Sequence, residues 1–178
     1  MAIAVTGTPA GSGTIAAATT HTRSYTTPAD ADVLIVCVGA GKTALGGTPT
    51  ISTVVWNGSN LSRIRQSVRS AHCRGELWGL VSPAQSTTAN CVVTMTGAST
   101  MSIAQLGYCL KDNDGSFTNR VNANGNTQTP TVGVTAVATD LCLDAMAWAL
   151  ISAATVGSGQ TSLFSASGTG GTNDVRIH

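Results

Sequence analysis

The run Ile51-Ser-Thr-Val-Val-Trp56, the turn Asn57-Gly58-Ser59-Asn60 and the run Leu61-Ser-Arg-Ile-Arg-Gln-Ser-Val68 decide the fold class. Asn and Gly both tolerate positive φ, and a tight turn built on them matches the right-handed twist of paired strands. The pattern predicts a β-hairpin, with Trp56 and Ile64 in paired elements and no helix from Ile51 to Val68.

Comparable runs recur on both sides. Ala31-Asp-Val-Leu-Ile-Val-Cys-Val38 is continuous enough for a strand buried on both faces, and Pro28 marks the turn before it. Glu76-Leu-Trp-Gly-Leu-Val81 is closed by Ser82-Pro83, and Asn90-Cys-Val-Val-Thr-Met-Thr96 alternates cleanly. Met101 to Leu110 makes a further strand, stopped by Asp112-Asn-Asp-Gly115, and Asn119 to Gln128 reads as a long loop. Thr131 to Ala136 and Asp140 to Ala149 are expected strands, the second buried on both sides, and Gln160 to Ser165 is a candidate last one. Short strands at this spacing predict an all-β fold, a sandwich or a barrel, with little or no helix.

Composition agrees. The chain has 178 residues, 42% of them apolar, which suffices for one domain with a core. Charged residues are only 10%, so the Lys, Glu and Arg that coat exposed helices are scarce. One domain is expected over residues 1–178, with 1–24 an N-terminal arm or strand and 165–178 a Gly/Thr-rich C-terminal tail. The start lacks a charged region followed by a long apolar one, so no signal peptide is expected, and no apolar stretch is long enough for a spanning helix. Neither a membrane nor a secretory route is therefore expected.

Net charge is +1 and the basic run is Arg63, Arg65, Arg69 and Arg74. In an alternating strand Arg63, Arg65 and Arg69 share a face, which suits solvent or a protein contact better than nucleic acid. These three, with Asp174 and Arg176 in the tail, are the candidate interface residues. Five cysteines (Cys37, Cys73, Cys91, Cys109 and Cys142) show no C-x-x-C spacing, so neither a zinc site nor a full disulfide set is expected. Four lie in apolar runs and read as buried thiols, while Cys73 lies in a polar segment.

Motifs that carry chemistry are few. Gly39-Ala-Gly-Lys-Thr43 resembles the end of a P-loop, but Val36 stands where the first Gly belongs and Ala44-Leu-Gly-Gly-Thr-Pro49 cannot begin the helix. Asp112 and Asp114 are candidate calcium ligands in Asp112-Asn-Asp-Gly115, although Ala123 occupies the position of the bidentate Glu. His21 and His72 lie in polar segments, His178 is last, and no Gly-x-Ser-x-Gly elbow occurs. Glu76 and Asp144 fall on expected strands as polar groups in a core or an interface. Neither an enzyme nor a cofactor is expected.

A set of segments in order carries a resemblance: Ala31 to Val38, Val55-Trp-Asn-Gly-Ser-Asn-Leu-Ser-Arg63, Glu76-Leu-Trp-Gly-Leu-Val-Ser-Pro-Ala84, Cys91 to Gly97, Asp140 to Ala145 and Gly159-Gln-Thr161. Together they resemble β-sandwich domains of bacteriophage virion proteins and of some bacterial surface proteins. The resemblance implies an antiparallel, jelly-roll-like β-sandwich displayed on a particle or a cell surface, with no catalytic residues to carry over. It points to a capsid decoration protein in the virion, made in a host cytoplasm, with the major capsid protein or other virion subunits as partners. A tail or fibre component, or a surface carbohydrate-binding module with a glycan ligand, is the alternative. Trp56, Trp78 and Trp148 lie on strand-like runs and are expected in the core. Domains of this kind continue into a further apolar strand, where this chain ends at Asp174-Val-Arg-Ile-His178. The expectation that follows is an open sheet edge completed by a neighbouring copy through strand addition, and hence self-association.

Overall fold

A computed structural model describes residues 2–16, 19–42, 50–69, 73–96, 101–124, 132–145, 158, 161–163, 166–167 and 176–177, with backbone alone at 13–16, 42, 69, 101–102, 166–167 and 176–177. Its strands are β1 (Ala4–Ala16), β2 (Thr20–Thr27), β3 (Val33–Lys42), β4 (Thr50–Trp56), β5 (Ser59–Asn60), β6 (Ser62–Arg69), β7 (Cys73–Val81), β8 (Thr87–Thr96), β9 (Met101–Lys111), β10 (Ala166–Ser167) and β11 (Arg176–Ile177). No helix occurs among the described residues. Two antiparallel sheets form a jelly-roll-like sandwich: a five-stranded sheet ordered β1-β9-β3-β7-β6 and a four-stranded sheet ordered β2-β8-β4-β5.

The sandwich interior is made by alternate residues of both sheets. Leu34, Val36, Val38, Ala40, Trp78, Ile103 and Cys109 of the larger sheet meet Tyr25, Ile51, Val54, Trp56, Cys91, Val93 and Met95 of the smaller. The other parity of the larger sheet is buried too. Val33, Ile35, Cys37, Leu106, Tyr108 and Leu110 form a second cluster, covered by Ile3, Phe117, Leu141, Leu143, Ala145 and Leu163 among others. This explains the unbroken apolar run of β3, whose residues Val33 to Val38 are at most 1% exposed. Each such side chain stabilises the fold by about 1.5–3 kcal/mol.

The hairpin forms as its turn residues require, with Asn57 at φ 48° and Gly58 at φ 76°. It is only two pairs long, Trp56 with Ser59 and Val55 with Asn60. The buried Leu61 then donates its N–H to Val54 O at 2.9 Å. The chain crosses to the larger sheet, where β6 pairs with β7. Trp56 and Ile64 thus both lie in paired strands, but in different sheets, Ile64 at the register shift of β6.

The first 24 residues are more than an arm. β1 lines the edge of the larger sheet along β9, and β2 lines the edge of the smaller along β8. Gly7, Pro9, Gly11 and Gly13 interrupt the pattern of β1, which is why the sequence left arm and strand open there. The converse holds farther on. Residues 132–137 and 140–145 join no ladder, so the strands expected there are absent over the described residues. Leu141, Leu143 and Ala145 pack on the second cluster while Cys142 and Asp144 stay exposed. Alternation there records an extended chain lying across a sheet face, which buries one side and needs no partner strand. Trp148 lies outside the described residues, as does Asp174. In the tail, Ala166–Ser167 pairs with Arg176–Ile177.

Candidate interaction site

β7 carries Arg74, Glu76 and Trp78 at alternate positions, so all three face the sandwich interior at the β6 side of the larger sheet. Val38 and Val36 of β3 stand opposite Glu76 and Trp78 on one side, Gln66 and Arg63 on the other. The Glu76 side chain has no solvent exposure. Its Oε1 accepts from Arg74 Nη1 at 2.9 Å and its Oε2 from Trp78 Nε1 at 2.9 Å. Arg63 approaches the same Oε1 at 3.8 Å and lies over the Trp78 ring, 5.8 Å from its centroid. Burial pushes the Glu76 carboxyl above its ordinary value, against the pull of Arg74 and Arg63. The arrangement is a carboxylate held by two guanidiniums and an indole N–H, one of the guanidiniums reaching solvent. Glu76 is therefore the satisfied core group that its strand position implied.

The three interface arginines of β6 do not share a face. A register shift between Arg63 and Arg65 places Arg63 opposite Trp78 and Arg65 opposite Leu77. A bulge of this kind adds a residue to one strand and reverses the alternation beyond it. Arg63 consequently turns inward over Trp78. Arg65 turns to the other side, where Nη2 donates to Asn122 Oδ1. Arg69, opposite Cys73, keeps the parity of Arg65. Arg176 is placed by its backbone in β11.

Segment 119–124 runs beside β6, exposed throughout, and is tied to it by side chains. Arg120 Nη1 donates to Ile64 O at 3.4 Å, Asn124 Nδ2 to Val68 O at 3.3 Å, and Ser67 Oγ to Ala123 O at 3.0 Å. The other edges are blunted by different means. β1 contains Pro9 and a register break between Thr6 and Ala10. β2 places Arg23 at the inward parity of His21 and Tyr25, and β5 has two residues. These are recognised ways of discouraging edge-to-edge pairing. Strand addition at the β6 edge would have to displace segment 119–124.

A polar relay joins the sheets. Tyr25 Oη donates to Gln105 Oε1 at 3.0 Å, and Gln105 Nε2 contacts His21 Nδ1 at 2.6 Å and His21 O at 3.3 Å. An amide nitrogen can only donate, so Nδ1 accepts and the imidazole is neutral with its proton on Nε2. Burial, then the neighbouring Arg23 charge, lowers the His21 pKa from 6.5. The unfolded chain takes up a proton that the folded imidazole resists, so this contribution is complete above pH 6.5 and is lost as the pH falls below it. The unfolding free energy from urea titrations should therefore fall from pH 7 to pH 5 by at most about 1.4 kcal/mol per pH unit, and His21→Gln should flatten the fall. An unchanged slope in that variant would reassign the effect to another group. Sequence reading left Gln105 unmarked, although it shares the parity of Ile103 and Cys109 in an otherwise apolar strand.

The Asp112–Ser116 turn spends its side chains on backbone. Gly115 N donates to Asn113 Oδ1 at 2.6 Å and Ser116 N to Asp114 Oδ1 at 2.8 Å, while Asn113 N donates to Asp32 Oδ2 at 3.3 Å. Among the described residues no group of three or more His, Cys, Asp or Glu converges on a metal position. Gly39 to Lys42, the P-loop-like stretch, is the end of β3. None of the five cysteines forms a disulfide. Burial pushes Cys37 and Cys91 up to about 12 and Cys109 to about 11, whereas Cys142, expected to be buried, is exposed. No protein-family model, curated protein or solved structure matches the chain.

Proposed function

We propose that this domain is a structural subunit of a bacteriophage virion, a capsid decoration protein that binds coat subunits through the outer face of its four-stranded sheet. The observation that carries the reading is the composition of that face. Thr22, Ser24, Thr26, Asn90, Val92 and Val55 lie side by side in register, and the outward positions of β2, β8, β4 and β5 hold no charged residue. A broad, flat, uncharged β surface suits docking through many modest contacts, since interface cores are depleted in charge. The carbohydrate-binding alternative needs exposed aromatic rings, and Trp56 and Trp78 are 1% and 6% exposed.

The test is addition of the purified chain to phage particles lacking it, followed by sedimentation. Saturable co-sedimentation is expected, and Thr22→Arg, at an exposed position, should reduce it at least tenfold. A chain that stays in the supernatant at every concentration, or a glycan-array signal that Thr22→Arg leaves intact, would remove the virion reading.

A further inference from the structure

Most of the described charges fall into two unlike groups, with Arg23, Asp140 and Asp144 outside both. Around β6 lie four guanidiniums (Arg63, Arg65, Arg74 and Arg120) and one carboxylate, Glu76, which Arg74 and Arg63 approach. Arg65 and Arg120 are bonded to an amide oxygen and a backbone carbonyl, so their charges are held in place but not neutralised. Where β3 begins and β9 ends, four carboxylates (Asp30, Asp32, Asp112 and Asp114) share one ammonium, Lys111, which lies 3.2 Å from Asp30. Hydrogen bonds hold this group too, from Asn113 N to Asp32 and from Ser116 N to Asp114. Burial is slight: Asp30, Asp112 and Asp114 are exposed.

The two groups do not neutralise each other within one chain. β6 is separated from β3 by β7, roughly 10 Å across at ordinary strand spacing. Val33, next to Asp32, pairs with Val81, whereas Arg65 stands opposite Leu77 and Arg69 opposite Cys73. Along the strands those offsets are roughly 13 and 27 Å. Such separations exceed the screening length of about 8 Å at physiological salt.

We propose that the arginine edge of β6 docks the Asp30, Asp32, Asp112 and Asp114 end of a second copy of this chain, so that copies associate head to tail. Charge complementarity selects the occupant: a basic edge and an acidic end of matching strength sit on separate parts of one molecule, each pre-positioned by hydrogen bonds. Such a contact is heterologous, using different surfaces on the two partners, and can extend into rings or rows. The uncharged face of the smaller sheet is left free, so the inference stands or falls independently of the particle-binding role.

The test is sedimentation velocity of the full chain at about 20 mM and about 0.5 M salt, between which the screening length shrinks from about 20 Å to about 4 Å. Oligomers at low salt that dissociate at high salt are expected. Arg65→Glu and Asp114→Lys, both at exposed positions, should each leave a monomer at low salt, and the double variant carrying both should regain association. A wild-type monomer at low salt overturns the proposal, and so do single reversals that leave association intact. A chain that stays monomeric alone but shifts with a single-stranded oligonucleotide would assign the arginine edge to nucleic acid and likewise overturn it.

Discussion

Gly107→Ala should lower stability by about 3 kcal/mol, the upper end of what overpacking a close-packed interior costs. A Cβ on Gly107 would lie 2.7 Å from three ring carbons of Tyr25. One of the two groups must shift. Gly107 is in β9 between β1 and β3, paired with Ala10 and Val36. Tyr25 is 3% exposed, and its hydroxyl is bonded to the wholly buried Gln105. A thermal midpoint roughly 6–12 °C lower is expected for a domain of this size. The decisive measurement is a double-mutant cycle with Tyr25→Ala. If the ring is the obstacle, Gly107→Ala should cost under about 0.5 kcal/mol once the ring is gone, and an equal cost in both backgrounds would refute the account.

Glu76→Ala should be as damaging, by about 3–5 kcal/mol, because it strips a buried cation of its counter-charge. Arg74 is 8% exposed, and without Glu76 its guanidinium and the Trp78 N–H both lose their acceptor. Removing the pair together has a different outcome. Arg74→Met with Glu76→Leu replaces two desolvated charges by apolar volume, which in other proteins has been neutral or stabilising. The double variant should therefore be at least about 2 kcal/mol more stable than Glu76→Ala alone in urea unfolding. Equal midpoints would show that the loss comes from packing volume and not from the stranded charge.

Much of the architecture is legible in the amino-acid sequence. Scarce charge, Val and Thr runs and the Asn57-Gly58 turn point to antiparallel sheets, and the unbroken run of β3 points to a strand covered on both faces. These are local signals: period-two burial, positive-φ turn chemistry and the cost of exposing six consecutive apolar side chains. The burial of the tryptophans at 56 and 78 follows from the same pattern.

What stays hidden depends on which neighbour each strand finds. A bulge at Arg63 and Arg65 leaves no mark in composition, yet it sends two arginines to opposite faces. Residues 140–145 alternate as a strand does, but they cover the outside of a sheet instead of joining one. The glycine-broken start reads as an arm or a strand, and the ladder with β9 makes it a strand. Local chemistry thus determined that the chain is all-β and which residues its turns and central strand would use. Tertiary structure alone decided that Glu76 sits between two guanidiniums, that Gln105 links Tyr25 to His21, and that basic edge and acidic end lie apart. The physical reason is that pairing partners far apart in sequence, chosen by the register of the whole sheet, set the face on which each side chain emerges.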